Sequence, residues 1–460
     1  MQKVSLYNTA TRQKEEFIPI IEGKVGIYSC GPTVYWNQHI GHMYAYTQWG
    51  TLVNFLRYIG NEVKWVMNVT DVGHLTSDAD TGEDKMEKGA KREGLSVWEI
   101  ANKYKEQFLR SLDKFNIIRP DVICPATEYI DEQIELAKKI EANGYAYMTK
   151  TGLVFDTGKF SDYDKFANLK LEEMDAGARV EVDQEKKNPW DFLLWITNQP
   201  DHIMKWPSPW GEGFPGWHLE CTAMSAKHLG ETFDIHTGGI EHIGVHHTNE
   251  IAQAFGAFGH QTANYWLHNA WLTLKGGVKM SKSLGNGYTA DQLEEMGFDP
   301  IAHKYLVLSS HYRKGLVFSL DSLKSSQVAL NKLREKINQW PEGGVVSESY
   351  KNQFIEKLSD DLATPEAVAL VWKLVKDETV AEADRRATIL DFDRVLGLRL
   401  DQYNSTKEEV PEEIKTLMEA RTKARGEKNW TESDRIRDEI KASGWEVEDT
   451  SEGQKVKKLV

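Results

Sequence analysis

Apolar positions change period twice between residues 20 and 70. Val25-Gly-Ile-Tyr28 is a short apolar run that stops at Ser29-Cys30-Gly31-Pro32. From Gly41 to Ile59, Tyr44, Trp49, Leu52, Val53, Leu56 and Ile59 recur at helical spacing, and Gly60-Asn61 ends the run. Val63 to Val69 is apolar again and reads as a second strand, closed by Thr70-Asp71. Strand, helix, strand in this order predicts a right-handed βαβ unit with parallel pairing. Residues 1–22 are expected to form a strand and turn leading into the core.

The pattern continues downstream. Residues 74–94 are polar and read as a surface loop running into a helix. Val97 to Phe115 is amphipathic and helical, Asn116 to Pro125 extended, and Ile130 to Asn143 helical up to Gly144. Tyr145 to Asp156 predicts a β-hairpin around Lys150-Thr-Gly152. Residues 157–215 are aromatic and expected to be loop-rich, an insertion between two halves of one nucleotide-binding fold. Strand-like runs resume at Thr232–His236 and Ala263–His268. Residues 300–400 read as almost all helical. After a break at Val410-Pro-Glu-Glu, residues 414–460 predict two helices and a hairpin. The fold class expected is α/β: a Rossmann-like parallel sheet split by an insertion, then a helical bundle and a small mixed α/β unit.

Composition narrows this picture. A chain of 460 residues is too long for one core. No run approaches the ~18 apolar residues of a membrane span, and Met1-Gln-Lys-Val-Ser-Leu-Tyr7 shows no signal-peptide core, so a cytoplasmic protein is expected. The three cysteines, Cys30, Cys124 and Cys221, cannot staple a fold this large, so metal binding or chemistry is the better use for them. The net charge of −14 excludes a non-specific nucleic-acid binder, and any RNA contact must come from local patches.

Three groups carry candidate chemistry. The first is His246 and Glu250, whose i, i+4 spacing puts both on one helix face. With the thiols Cys30 and Cys221 they could complete a zinc set. Equally, buried cysteines pack as small hydrophobes and His-x-x-x-Glu is common on solvated helices. The second is His39-Ile-Gly-His42, at a turn that opens a helix, where backbone N–H groups and the dipole favour phosphate. Two structural histidines capping a helix would read the same. The third is Lys279-Met-Ser-Lys-Ser283, flanked by Gly276-Gly277 and Gly285-Asn-Gly287. It is a cationic loop suited to pyrophosphate, or an ordinary surface loop.

Taken together, His39-Ile-Gly-His42 and Lys279-Met-Ser-Lys-Ser283 resemble the two signatures of class I aminoacyl-tRNA synthetases. Tyr28-Ser-Cys-Gly-Pro-Thr-Val-Tyr35, Pro215-Gly-Trp-His-Leu-Glu-Cys-Thr-Ala-Met224, Phe233-Asp-Ile-His-Thr-Gly-Gly239 and His246-His-Thr-Asn-Glu-Ile-Ala-Gln253 narrow the resemblance to cysteinyl-tRNA synthetases. The likeness runs in order from about residue 5 to residue 450. It implies ligation of L-cysteine to tRNA(Cys) through a cysteinyl-adenylate. One Zn²⁺ on Cys30, Cys221, His246 and Glu250 would bind the substrate thiolate. Mg²⁺ would accompany ATP. His39, Gly41, His42 and Lys282 would bind ATP, with His39, His42, Lys279 and Lys282 stabilising the transferring phosphate and pyrophosphate. Thr70, Trp217 and Asp234 would line the amino-acid pocket, with His218, His236 and His247 ordering the site around them. Serine would be excluded at the metal, so no editing domain is expected.

Tyr44, Gly50 and Thr248 depart from the family pattern, which often has an Arg, an acid and a Glu there. The resemblance also divides the chain. The catalytic halves would be 1–124 and 216–285, separated by a connective insertion at 125–215. A stem-contact region at 286–335, a helical bundle at 336–409 and an anticodon-binding unit at 410–460 would follow. Within the last, Arg421, Arg425 and Lys428 are expected on one helix face, and Thr431-Glu-Ser-Asp434 as a capping box for the next helix. Arg425, Trp430, Asp434 and Asp449 would contact the anticodon. Residues 415–460 hold 11 Lys/Arg and 10 Asp/Glu, so bulk charge does not separate this from a salt-bridged helical hairpin. A monomer is expected. The alternatives are a cysteine–amino-sugar ligase of mycothiol synthesis, which should lack a developed anticodon unit, and a non-catalytic zinc- or RNA-binding paralogue, which should have lost the histidine and lysine signatures.

Overall fold

The computed structural model describes residues 3–74, 84–169, 185–278, 280, 287–402, 411–450 and 453–458. A hairpin of β1 (Ser5–Asn8) and β2 (Gln13–Glu16) leads into β3 (Lys24–Ser29), α1 (Ile40–Tyr58) and β4 (Glu62–Val69). These are followed by α2 (Lys85–Glu93), α3 (Val97–Lys114), β5 (Val122–Pro125) and α4 (Ile130–Ala142). The next segment contains β6 (Ala146–Thr149), β7 (Gly152–Phe155), β8 (Phe192–Ile196) and β9 (Phe214–Pro215). After it come α5 (Trp217–Leu229), β10 (Phe233–Gly239), α6 (Thr248–Phe258) and β11 (Ala263–Asn269).

The central sheet has the order β11-β10-β3-β4-β5, and every pair in it is parallel. The expected βαβ unit is present, with Ile27 opposite Trp65 on one side and Ile235 on the other. Alternation along the strands divides the core into two layers. Val25, Ile27, Trp65, Met67 and Ile235 face the side of α1, while Tyr28, Val66 and Trp266 face the side of α4 and α5. A sheet covered on both faces explains why its strands read as continuous apolar runs.

The insertion is more ordered than expected. Strands β6, β7, β8 and β9 form an antiparallel sheet in that order. All five residues of β8 are buried, so their side chains carry no alternation for a sequence to display. Residues 170–184 of the insertion lie outside the described residues.

Downstream, β12 (Leu272–Leu274), α7 (Ala290–Glu295), α8 (Pro300–Leu308) and β13 (Leu316–Phe318) precede the helices α9 (Leu320–Gln339), α10 (Glu348–Ser359), α11 (Thr364–Lys376) and α12 (Glu382–Leu396). Helix α1 packs against α8 and α12, so one core joins the sheet to the helical region. The chain ends with α13 (Glu412–Gly426), α14 (Trp430–Ala442) and a hairpin of β14 (Trp445–Thr450) and β15 (Gly453–Lys458). Ile414, Ile436, Ile440 and Trp445 form its separate small core. Two local expectations fail here. Lys428 lies beyond the end of α13 with φ of 59°, so it shares no helix face with Arg421 and Arg425. The cap of α14 is Asn429, whose side chain accepts from the Glu432 N–H, not Thr431. Among the described residues no helix is long and apolar enough to cross a membrane.

Candidate active site

Cys30 stands at the carboxyl end of β3, where open parallel sheets bind ligands. Its N–H donates to the Thr237 carbonyl on β10 at 3.1 Å. Gly31 follows, and its N–H donates to Asn68 Oδ1 at 2.7 Å. A Cβ on Gly31 would overlap the Asn68 carbonyl, so only glycine lets the chain hug the end of β4. The Val34 N–H then donates to the Thr70 carbonyl at 3.1 Å and the Thr70 N–H to the Pro32 carbonyl at 3.0 Å, which extends the pairing past the thiol.

A π-turn at Ile243–His247 runs directly into α6 and brings two successive histidines to Cys30. Donor atoms of Cys30, His246, His247 and Glu250 all lie within 4.8 Å of one another. His247 Nε2 is 3.3 Å from Cys30 Sγ. Glu250 Oε2 pairs with His236 Nε2 at 2.9 Å. Glu250 Oε1 is buried without a hydrogen-bond partner, although His246 Nε2 lies 3.0 Å away. A thiol, two imidazoles and a carboxylate with one orphaned oxygen are donors that could hold a thiophilic divalent cation such as zinc.

Three of the four expected ligands, Cys30, His246 and Glu250, are thus brought together. His247 lies with them. Cys221 is buried on α5 and close enough to Cys30 for the two thiols to act on each other's acidity. The two thiols are driven apart in acidity. Burial raises Cys30, but Cys221, His246 and His242 outweigh it and hold its pKa well below the ordinary value. Cys221 is pushed well above its ordinary value by burial and by Cys30. Burial lowers His246, yet Glu250 and Cys30 carry its pKa up to about 10.

Further histidines order the cluster. His218 Nδ1 lies 2.9 Å from His246 Nδ1, and the Trp217 ring centroid is 4.6 Å from that of His246. His247 Nδ1 bonds His268 Nε2 at 2.7 Å, and His268 Nδ1 reaches Thr9 Oγ1 at 2.8 Å. Thr70 is buried, its hydroxyl donating to Glu220 Oε2 at 2.9 Å, while His74 bonds the other Glu220 oxygen. His74, Glu220 and His268 were missed in the sequence. The one available signal was Glu220, a carboxylate amid the apolar residues Leu219, Cys221, Ala223 and Met224.

Asp234 corrects the expected pocket. It lies near the amino end of β10, one residue before the Ile235–Ile27 pair. Its carboxylate accepts from the Ile20 and Gly26 N–H groups at 2.7 Å each. Parallel strands place that end of the sheet away from Cys30, so Asp234 anchors the start of β3 and does not line this crevice.

His39 caps α1. Its Nδ1 accepts from the Gly41 N–H at 3.1 Å, its own N–H donates to His42 Nδ1 at 3.2 Å, and the two rings are 3.9 Å apart. The capped turn presents two imidazoles at the positive end of a 19-residue helix. Lys279 and Lys282 lie outside the described residues, but Met280 between them and Gly287 after them do not. Met280 is buried, 3.9 Å from where a Cβ on Gly41 would stand. Gly287 passes so close to His39 that an added Cβ would come within 2.8 Å of its ring. The departures from the family pattern are filled by packing. Tyr44 is buried and donates to the Tyr312 carbonyl at 3.3 Å, Gly50 faces Ile117, and Thr248 donates to the Ile243 carbonyl at 2.8 Å.

In the C-terminal unit, Asp449 accepts from Arg421 at 2.9 Å and Arg425 at 2.8 Å, and the Arg425 guanidinium lies 5.9 Å from the Trp430 ring centroid. Trp430 is 58% exposed. Asp434 pairs with Arg437 at 3.3 Å along α14.

The family model for the catalytic domain of class I (C) tRNA synthetases matches residues 16–328, and that of the cysteinyl-tRNA ligase anticodon-binding domain matches residues 407–456. The chain is 46% identical over 455 residues to cysteine–tRNA ligase 1 of Burkholderia lata, covering 98% of this chain and 96% of the relative. It is 43% identical to the cysteine–tRNA ligase of Treponema denticola, covering 99% and 100%. Methionyl-tRNA synthetase of Mycobacterium tuberculosis with methionyl-adenylate superposes with a TM-score of 0.55 at 14% identity, over 82% of this chain and 90% of that one. That likeness is one of fold.

Proposed function

The chain belongs to the cysteine–tRNA ligase family of class I tRNA synthetases, and on that premise we propose how its residues perform the ligation. The reaction joins L-cysteine to tRNA(Cys) in two steps. The cysteine carboxylate attacks the α-phosphorus of ATP and expels pyrophosphate. A ribose hydroxyl at the tRNA terminus then takes the acyl group from the adenylate.

No side chain acts as a covalent nucleophile. The chain contributes position and charge. His39 and His42 hold the phosphates at the capped end of α1 and meet charge as it develops on phosphorus. Lys279 and Lys282 neutralise the leaving pyrophosphate, and Mg²⁺ would accompany ATP. Cys30, His246 and Glu250, with Cys221 as fourth ligand, would hold zinc. Bound zinc supplies a Lewis-acid position that favours a thiolate over an alcohol. Thr70 and Trp217 bound the amino-acid side of the crevice, and Trp217 shields the metal cluster from water. Arg425, Trp430, Asp434 and Asp449 form the anticodon patch, through stacking and acceptors for base amino groups.

The observation that carries this reading is that the thiol–imidazole–carboxylate cluster at the end of β3 and the capped histidine turn that opens α1 are joined by one short segment, with 11 residues between Cys30 and His42. ATP–pyrophosphate exchange tests it. Exchange should require cysteine and fail with serine. No exchange by metal-replete protein would refute it. The alternative, ligation of cysteine to an amino sugar, shares this crevice but gives no role to residues 411–458.

A further inference from the structure

A second cluster of metal-ligating side chains lies apart from the cysteines. Asp84 is the cap of α2, Glu87 is in its first turn, and His202 comes from the segment between β8 and β9. One donor atom from each lies within 4.8 Å of the other two. His202 Nδ1 is 3.2 Å from Asp84 Oδ2 and 4.0 Å from Glu87 Oε1. Donors bonded at about 2.1 Å to one first-row cation stand ~3–3.5 Å apart, so these spacings need only a slight contraction.

The partners of the remaining atoms sharpen the point. Asp84 Oδ1 is occupied, accepting from the Glu87 N–H at 2.8 Å. Asp84 Oδ2 is buried and has no hydrogen-bond partner, despite the ring nitrogen 3.2 Å away. His202 Nε2 is likewise buried without a partner. Asp84 and His202 are 6% and 7% exposed. The His202 ring is fixed by stacking on Phe214, centroid to centroid 3.8 Å. A buried carboxylate oxygen with nothing to accept from is costly, and a fixed imidazole beside it, out of line for a hydrogen bond, does not repay that cost. A shared cation does.

We propose that Asp84, Glu87 and His202 form a second divalent metal site, for a first-row transition ion completed by water. One imidazole and two carboxylates suit Zn²⁺, Mn²⁺, Fe²⁺ or Co²⁺ better than the softer thiophilic ions. The ion would staple the insertion to the start of α2. The site is independent of the zinc set at Cys30, because it contains no thiol and shares no residue with it.

The full chain, stripped with chelator and dialysed against Zn²⁺ alone, is read by elemental mass spectrometry. The expected result is two equivalents per chain, falling by one in His202→Asn and separately by one in Cys30→Ser. Glu87→Gln, at the more exposed edge, should keep the fold and weaken the second equivalent at least tenfold. Co²⁺ alone should bind Cys30→Ser and give ligand-field absorption without a thiolate charge-transfer band. One equivalent in the wild type, or a zinc content unchanged in both His202→Asn and Glu87→Gln, overturns the proposal and leaves an uncompensated His–Asp contact.

Discussion

The Ile40 N–H donates to the Tyr288 carbonyl at 2.8 Å. This bond ties the histidine turn to the segment that leaves the lysine motif. Through it, and through Met280 against Gly41, the two signatures meet although about 240 residues separate them in sequence.

Gly287→Ala tests that contact. The new Cβ would reach the His39 ring at 2.8 Å, and one of the two must move. A displacement of about 1 Å in a group that meets developing charge costs on the order of a hundredfold in rate. The kcat of ATP–pyrophosphate exchange should fall ten- to a hundredfold while the thermal midpoint shifts little. An unchanged kcat would detach His39 from the chemistry.

The metal cluster distinguishes its fourth ligand. Cys221→Ala should lose one equivalent of zinc, whereas His247→Ala should retain the metal with weakened affinity, because His247 is already engaged with His268. Mass spectrometry of the purified variants decides it. Retention in Cys221→Ala with loss in His247→Ala would make His247 the ligand.

Trp430→Ala should separate tRNA recognition from chemistry. The ring is largely exposed, so stability should change by less than about 0.5 kcal/mol. Loss of one stacked base costs ~1–3 kcal/mol. KM for tRNA should rise about five- to 150-fold with amino-acid activation intact. Equal KM values would return the unit to a salt-bridged hairpin.

Stability should also rise with pH through a buried lysine. Lys304 is buried and donates to the Asn116 carbonyl at 2.6 Å. Burial lowers its pKa to about 7, against a smaller raising effect of Asp393. Between pH 7 and the ordinary lysine value of ~10.4 the unfolded chain binds the extra proton, so stability climbs with pH over that window, by at most about 1.4 kcal/mol per unit. Urea midpoints should show this slope, and Lys304→Met should flatten it. An equal slope in the variant would assign it elsewhere.

Much of this was legible in the sequence because period and punctuation agreed. The run Val25 to Tyr28, the helical spacing after Gly41 and the run Val63 to Val69 produced β3, α1 and β4 in parallel register. The four residues Phe192 to Trp195 did not announce a strand, since burial on both faces removes alternation. Asp234 was misplaced because a motif match carries residue identity without saying which end of a strand it occupies. The closeness of His247 to Cys30 was not legible for a geometric reason: a regular α-helix turns successive residues away from each other, and the π-turn at Ile243–His247 changes that rotation. Thr431 was read as the cap because Thr431-Glu-Ser-Asp434 has the spacing of a capping box, whereas α14 starts one residue earlier, at Trp430, and is capped by Asn429.

The central claim is that one crevice activates cysteine and passes it to tRNA, and charging of tRNA measures it most directly. Metal-replete protein with ATP, Mg²⁺ and cysteine should esterify a transcript bearing a GCA anticodon, and serine should give no product. Cysteine-dependent pyrophosphate exchange without any charging of that transcript would contradict the account and favour an amino-sugar acceptor.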